Sequence, residues 1–324
     1  MSITRYLREI GRGKDGARSL DAAQAEDLLH QVLDGRVSEV QLGAFVIAMR
    51  IKGESAAELT GFLSAAQAHI APAIVDSVER SAQPVVWLPS YNGARRLANL
   101  TALLAGLLAR IGLAVIVHGR AEDPGRVTTH AVFEALGWPI VETAAGADAV
   151  ASAWQLQRPV FVTTDVLCPA LARLLDVRAQ VGLRNSGHTI AKLLAPSTSR
   201  RSLRVVNHTH PEYATSLAQF LAVSRADALL LRGTEGEPVA DARRTPRMDA
   251  FVAGQCIETL GVPAQGGVLT RVPTGPASID AAATAVFVEA ALAGNAAIAL
   301  PILQQAGAIT ALAQHITQAL ENVA

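Results

Sequence analysis

The chain has 324 residues, of which half are apolar and 17% are charged, and 28 Lys and Arg balance 28 Asp and Glu. This composition excludes a disordered, collagen-like or coiled-coil chain. A chain of this length buries enough surface to fold without disulfides or bound metals. The two cysteines, Cys168 and Cys256, provide neither a zinc cluster nor a disulfide framework. The start lacks a signal peptide's apolar core, and no apolar run approaches the roughly 20 residues of a membrane span. We therefore expect a cytoplasmic protein that does not contact membranes.

The neutral total conceals a strong local asymmetry of charge. From Ser19 to Glu79 there are nine acidic and three basic residues, so this segment carries −6 and the remainder carries +6. The 35 residues between Asp176 and Glu212 contain no carboxylate. Six cations accumulate in that stretch: Arg178, Arg184, Lys192, Arg200, Arg201 and Arg204. Because salt screens electrostatic fields over about 8–10 Å, a net charge of zero for the whole chain does not exclude a polyanionic partner.

The first 74 residues predict a small all-helical domain. An apolar stripe runs from Ala22 to Leu33 and is closed by Gly35, and Gly53 is placed where a later helix should end. Capping-box spacing occurs twice, from Ser38 to Gln41 and from Ser55 to Glu58.

Beyond residue 74, short β-rich runs alternate with Ala- and Leu-rich helices. This alternation predicts an α/β domain (75–164 and 183–324) with a mainly parallel sheet. A helical segment interrupts the alternation, and we expect 165–182 to pack back onto the helical domain. The predicted strands are Val85–Leu88, Ala114–His118, Val160–Thr163, Leu203–Asn207, Ala228–Leu231 and Gly267–Arg271. The predicted helices are Arg95–Ile111, Thr129–Leu136, Pro169–Val181, Glu212–Val223 and Asp280–Ala293.

The loop after the first predicted strand is a candidate phosphate site. Ligands of doubly wound sheets bind where strands end, and the amides at a following helix N-terminus attract anions. The loop contains Asn92 and Gly93, and two arginines, Arg95 and Arg96, fall in the first turn of the predicted helix. Cations are unfavourable there unless an anion compensates them, although both arginines could simply be solvated. His118, at the end of the second strand, is either a phosphate ligand or a hydrogen-bonded structural histidine.

Further arginines occur beside Ser, Thr and Asn donors, which is a combination typical of phosphate contacts. The alternative for each of these segments is a solvated loop. The candidates in the stretch without carboxylates are Arg184, His188, Lys192, Arg200, Arg201 and Arg204, and a second group comprises Arg243, Arg244 and Arg247.

Several common sites are not predicted. His208 and His210 are closely spaced, but no carboxylate or cysteine pattern completes a metal site around them. We find neither a phosphate-binding loop ending in Lys-Ser/Thr nor a dinucleotide fingerprint nor a nucleophile elbow, so no cofactor is expected. Aromatic residues are only 4%, and any nucleic acid would therefore be held mainly through its backbone.

The order of elements resembles that of the anthranilate phosphoribosyltransferase family (glycosyltransferase family 3) over essentially the whole chain. Three features carry the resemblance: the strand-to-glycine loop, the His-Gly turn followed by 131–137, and the segment 190–196. The resemblance implies a small helical domain, a large α/β domain and a dimer formed through the helices.

Departures from the family pattern bear on function. The family's diphosphate loop, Gly-Thr-Gly-Gly-Asp, corresponds here to 89–93, where Pro89, Tyr91 and Asn92 carry side chains. The family's metal-binding Asp-Glu pair corresponds to Pro238 and Val239. These changes resemble the non-biosynthetic YbiB-like branch, which implies a dimer that binds nucleic acid with little sequence preference.

The leading hypothesis is therefore a non-catalytic protein that holds single-stranded DNA or RNA in the cleft between its domains. The alternative is an active phosphoribosyltransferase in which Asn92, Gly93, Asn99 and His118 still bind phosphates. A third possibility is a regulatory protein that binds a small phosphorylated metabolite.

Overall fold

A computed structural model describes residues 2–13, 15–197 and 202–322. The chain begins with five helices: α1 (Thr4–Ile10), α2 (Ala22–Leu33), α3 (Glu39–Lys52), α4 (Ala56–Gln67) and α5 (Pro72–Glu79). The capping boxes predicted at Ser38 and Ser55 are both formed. Gly53 ends α3 with a φ of 77°, a conformation that favours glycine. The helical N-terminal part is thus built as its local sequence predicts.

The remainder of the chain forms an α/β domain around an eight-stranded sheet. Its strands are β1 (Val85–Ser90), β2 (Ala114–Gly119), β3 (Ile140–Val141), β4 (Val160–Thr163), β5 (Ser202–His208), β6 (Asp227–Arg232), β7 (Met248–Val252) and β8 (Gln255–Cys256). The spatial order is β3-β4-β2-β1-β5-β6-β7-β8. All neighbouring pairs from β3 to β6 are parallel, and only β7 and β8 are antiparallel. The predicted mainly parallel sheet is confirmed.

Helices cover both faces of this sheet. They are α6 (Thr101–Arg110), α7 (Thr129–Leu136), α8 (Ala149–Gln155), α9 (Thr164–Leu167), α10 (Pro169–Val181), α11 (Ser186–Ala191), α12 (Glu212–Val223), α13 (Ala281–Leu292) and α14 (Leu300–Glu321). Side chains alternate across the strands, so Trp87 of β1 joins the apolar core shared with the helical part, and Leu88 joins the core under α6, α13 and α14. Each face of the sheet therefore has its own core.

The segment around α10 contacts the N-terminal helices. Leu171 is buried in the same core as Leu29, and the Ala71 amide donates to the Leu167 carbonyl at 2.9 Å. The Arg173 guanidinium donates to the Leu33 carbonyl at the end of α2. These contacts agree with a segment that returns to the helical part, whereas the domain boundaries themselves stay a prediction.

Two predicted elements differ from the structure. The helix expected from Arg95 begins only at Thr101, because the preceding segment is held as a loop by long-range hydrogen bonds described below. The strand expected at Gly267–Arg271 is absent, and this segment is an exposed loop in which Val268 and Leu269 are each 54% exposed. Strands β3, β7 and β8 are not apparent in the sequence because they are short or include a charged residue.

None of the helices in the described ranges combines the length and the apolar character needed to cross a membrane.

Candidate phosphate-binding cleft

The carboxyl ends of β1, β2, β5 and β6 lie at the same edge of the sheet, as parallel pairing requires. The loop that leaves β1 and the loop that leaves β6 meet there. The second loop, Glu235-Gly236-Glu237, supplies two carboxylates to the first, and this interaction dominates the site.

Glu237 occupies the amides of the loop after β1. Its Oε1 accepts the backbone amides of Asn92 and Gly93, both at 2.9 Å. Its Oε2 accepts the Ser90 hydroxyl and, at 3.3 Å, that of Thr129. Glu237 is 1% exposed, so its charge is stabilised by these donors rather than by water. The amides that we predicted to bind a phosphate therefore bind a carboxylate of the same chain.

Glu235 makes similar contacts with the next amides along the loop after β1. It accepts the amides of Arg95 at 2.9 Å, of Arg96 at 3.0 Å and of Leu97 at 3.2 Å. Burial alone would raise the pKa of Glu235, but these three amides outweigh it and lower the pKa below its ordinary value. Arg95 and Arg96 are thus not in a helical first turn, and the acidic group beside their backbone is Glu235.

Gly236 allows the two glutamates to approach the first loop. Its φ is 91°, and a Cβ at this position would lie 1.6 Å from Nδ2 of Asn92. Its carbonyl accepts Nδ2 of Asn207 at 2.6 Å and Nζ of Lys192 at 3.1 Å. The loop is consequently fixed from three sides.

A cleft of about 440 Å³ lies beside this loop, between α3 and α4 on one side and α11, β5 and α12 on the other. Its polar lining includes three of the predicted residues, Arg184, His188 and Lys192. Further polar lining comes from Arg50, Glu54, Asn207, His208, His210 and Tyr213. We refer to this space as the interdomain cleft.

Arg184 connects the interdomain cleft to the loop after β1, because its Nη1 donates to Oδ1 of Asn92 at 2.8 Å. Burial lowers the pKa of Arg184, and three neighbouring arginines lower it further. With Arg184 those neighbours form what we call the arginine cluster: Arg50, Arg126, Arg178 and Arg184. Asp123 lies near two of them at 3.7–3.9 Å. The positive field here is therefore only partly balanced.

The other two predicted residues in the cleft differ in charge. Burial lowers the pKa of Lys192 to about 8, so the ammonium is still the main form at neutral pH. Burial, aided by Arg184, lowers the pKa of His188 to about 4. His188 is thus a neutral hydrogen-bonding group at neutral pH, beside the Asn185 cap of α11.

Two predicted phosphate ligands are buried away from the cleft. His118 is 0% exposed, its Nδ1 lies 3.0 Å from the Tyr91 hydroxyl, and burial lowers its pKa to about 3. Arg204 donates to the carbonyls of Leu193 at 3.0 Å and Ala195 at 3.3 Å. Burial lowers its pKa to about 10. Both side chains form hydrogen bonds in the interior of the protein instead of facing the cleft.

The remaining predicted arginines fall into two groups. Arg243 forms two hydrogen bonds with Asp241 at 2.8–2.9 Å, and Arg244 lies 3.9 Å from the same carboxylate. Arg247 pairs with Asp249 at 2.7 Å, so two carboxylates balance most of the charge of these three arginines. Arg200 and Arg201 lie outside the described residues.

The structure also identifies residues that sequence reasoning missed. Glu237 lies about 145 residues from the amides that it binds, Arg126 donates to the Gly93 carbonyl 33 residues away, and Arg50 belongs to a segment with net negative charge. Val239, where the family has a metal-binding carboxylate, is 1% exposed and buried in the core. Neither Pro238 nor Val239 can replace the missing metal ligands.

Comparison with known proteins identifies the family. The helical bundle domain of the glycosyl transferase family matches residues 4–70. The YbiB protein of Escherichia coli (strain K12) is 42% identical over 250 residues, which cover 77% of this chain and 76% of YbiB. The anthranilate phosphoribosyltransferase of Thermomicrobium roseum is 28% identical over 219 residues, which cover 67% of this chain and 60% of that enzyme.

Solved structures agree at the level of the fold. The anthranilate phosphoribosyltransferase of Thermus thermophilus has a TM-score of 0.70 at 20% identity, over 93% of this chain and 89% of its own. The Saccharomyces cerevisiae enzyme in complex with PRPP and Mg has a TM-score of 0.57 at 11% identity, over 99% and 98%. The chain belongs to glycosyltransferase family 3, which includes anthranilate phosphoribosyltransferase and a YbiB-like branch.

Proposed function

We propose that this chain is a non-catalytic protein that binds single-stranded DNA or RNA through its phosphate backbone, on a phosphoribosyltransferase scaffold. The observation that carries the proposal is the placement of Glu237 on the amides of Asn92 and Gly93. A diphosphate bound there would have to displace a buried carboxylate.

The negative charge of Glu237 in the loop supports a protein that binds phosphates but does not transfer a phosphoribosyl group. With Glu237 in place, the amides have no free hydrogen atoms for a phosphate, and a diphosphate would meet a like charge. No carboxylate occupies Pro238 or Val239 to hold a magnesium ion that could offset this repulsion. The active phosphoribosyltransferase alternative lacks both requirements for its substrate.

The cations that remain support a polyanionic ligand. Among the described residues, Arg50, Arg184 and Lys192 form no ion pair, and all three face the interdomain cleft. Arginine and lysine side chains of this kind contact phosphates without reading sequence. The cleft volume is that of an ordinary small-ligand site, so it accommodates part of one strand rather than a duplex. The rest of the arginine cluster would continue the track.

The same proposal includes a homodimer formed through the N-terminal helices. Three large apolar residues of α3 share one stripe and are exposed: Val40 by 83%, Ile47 by 37% and Ile51 by 65%. Ala44, between them on the stripe, is also exposed. An apolar stripe of this length on a helix favours burial against a second copy, and a dimer would place two clefts on one particle.

The test is the fluorescence anisotropy of a labelled single-stranded oligonucleotide titrated with protein at several salt concentrations. Each phosphate contact to a single strand contributes about 0.7 to the slope of log K against log salt. The double variant Arg184→Ala with Lys192→Ala should therefore lower the slope by about 1.4. Arg158→Ala, an exposed arginine at a distant surface, is the matched control and should leave affinity and slope unchanged.

Three outcomes contradict the proposal. An unchanged slope in the double variant would exclude the cleft as the phosphate track. Full displacement of the oligonucleotide by a low concentration of phosphoribosyl diphosphate with Mg²⁺ would favour the enzyme. Displacement by a nucleotide monophosphate as effective as the oligonucleotide would favour the small-metabolite alternative.

A further inference from the structure

We propose that His30, Asp34 and His69 form a divalent metal site in the helical domain, with a donor set suited to Zn²⁺. The site is remote from the interdomain cleft and independent of the proposed function. No metal site is apparent in the sequence, because 34 residues lie between Asp34 and His69.

Two helix ends bring the three side chains together. His30 lies in the last turn of α2, Asp34 is the C-cap of that helix, and His69 follows the end of α4 by two residues. One ligand atom from each residue lies within 4.8 Å of the other two. The two imidazole rings are 5.3 Å apart between centroids. Two imidazoles with one carboxylate and an open position is a common zinc donor set.

The hydrogen bonds of His69 point to a cation at this place. Its Nδ1 lies 2.8 Å from the Ala65 carbonyl, and only a protonated nitrogen can form that bond. Its Nε2 lies 2.9 Å from Oδ1 of Asp34, and two lone pairs at this distance repel each other. Nε2 therefore carries either a proton or a metal ion. A backbone carbonyl on Nδ1 is also the usual way in which a metal-binding histidine is oriented.

The surrounding charges favour a cation as well. The carboxyl ends of α2 and α4 both face the site, and a helix carboxyl end carries partial negative charge. Glu26 adds a second carboxylate, 4.0 Å from Nε2 of His30 and held by the Ser64 hydroxyl at 2.7 Å. Two cations oppose this: Arg173 donates to the Leu33 carbonyl at the end of α2, and Arg36 pairs with Oδ2 of Asp34 at 2.7 Å but leaves Oδ1 facing the histidines. The site can thus balance most of a divalent charge.

A metal ion here would join α2 to α4. Because the three ligands are assembled only in the folded state, binding would stabilise the helical domain. The half-exposed position gives the ion access from solvent, since His30, Asp34 and His69 have side chains that are 31%, 37% and 20% exposed.

The experiment is a titration of the untagged full-length chain with Co²⁺, followed by its visible absorption, and with Zn²⁺ against a chromophoric chelator. Cys256 is an exposed thiol that could bind zinc, so every protein carries Cys256→Ser. We expect one metal ion per chain, and a Zn²⁺ affinity at least about tenfold lower in His30→Ala and in His69→Ala. His315→Ala, which removes an exposed histidine of α14, should bind as the parent does.

Asp34→Asn keeps the shape of the site and removes its charge, and it should also weaken binding about tenfold or more. It serves as the test if a histidine variant fails to fold, which circular dichroism without metal would reveal. Equal Zn²⁺ affinity in the parent and in all folded site variants would overturn the proposal, and so would a parent that binds no metal. The trio would then be an ordinary ion pair between protonated His69 and Asp34.

Discussion

Replacement of Glu237 is the most direct perturbation of the candidate site. Glu237→Ala removes the carboxylate from the amides of Asn92 and Gly93 and leaves a small polar space at the end of β1. The variant should lose stability, and it should gain a site for inorganic phosphate at this loop that the parent lacks.

The magnitude follows from the donors that lose their partner. Two buried backbone amides lose the carboxylate, whereas the Ser90 hydroxyl still has Thr129 at 2.7 Å, and an unsatisfied buried donor costs about 1–3 kcal/mol. Water entering the space would satisfy some of them. We therefore expect a loss of about 2–5 kcal/mol in the free energy of unfolding. Bound phosphate would restore about 2.7 kcal/mol at 100 times its dissociation constant.

Urea unfolding with and without phosphate, at constant ionic strength, measures both effects. Glu235→Ala is the matched control from the same loop. It also frees backbone amides, but those of Arg95 and Arg96 are exposed, so the loss should be smaller, about 1 kcal/mol. Sulfate at the same ionic strength separates specific phosphate binding from a general anion effect.

Two results would refute the reasoning. Glu237→Ala could unfold within about 1 kcal/mol of the parent, in which case the carboxylate is not the internal ligand of the loop. Alternatively, phosphate could stabilise the parent as much as the variant, in which case removal of Glu237 opens no additional phosphate site at the loop.

Three further predictions address other parts of the protein. Burial lowers the pKa of Lys192 to about 8, so the fraction of Lys192 side chains that carry an ammonium falls above that pH. Oligonucleotide affinity should therefore decrease between pH 7 and 9. Lys192→Arg, which stays charged, should flatten this pH profile. Gly236→Ala should lower the urea midpoint strongly, since its Cβ would clash with Asn92 at a φ of 91°, whereas Gly43→Ala in α3 has open space and should not. Ile47→Asp places a charge on the exposed stripe of α3 and should halve the mass in light scattering, whereas a mass equal to that of the parent would exclude this face as the dimer interface.

The sequence predicted well what depends on neighbouring residues. Both capping boxes, the end of α3 at Gly53 and helices such as Glu212–Val223 follow from local hydrogen bonding and from apolar periodicity. The central strands were recognisable because parallel strands buried on both faces are continuously apolar.

The sequence predicted poorly what depends on distant pairs. The delayed start of α6 and the filling of the loop after β1 both result from two glutamates about 140 residues away. The metal trio and the balance between Arg243 and Asp241 likewise need three-dimensional distances. Sequence reasoning identified Arg184, His188 and Lys192 in the cleft but missed Arg50, whose acidic surroundings in sequence conceal a basic neighbourhood in space.

Under the proposed function, Glu237 would explain how a loop that binds substrate in a transferase keeps its shape without that substrate. Backbone amides at the end of a parallel strand need an anion, and in a transferase the substrate supplies it only during turnover. Here a side chain of the same chain supplies it permanently, so the loop no longer depends on a ligand for its charge balance. Arg184 and Lys192 then bind the edge of this closed loop through Asn92 and Gly236, and their positive charge is only partly balanced by Asp123 and Glu237. Under the proposed function, a phosphate chain in the interdomain cleft would meet that charge without entering the position that corresponds to the family's diphosphate loop.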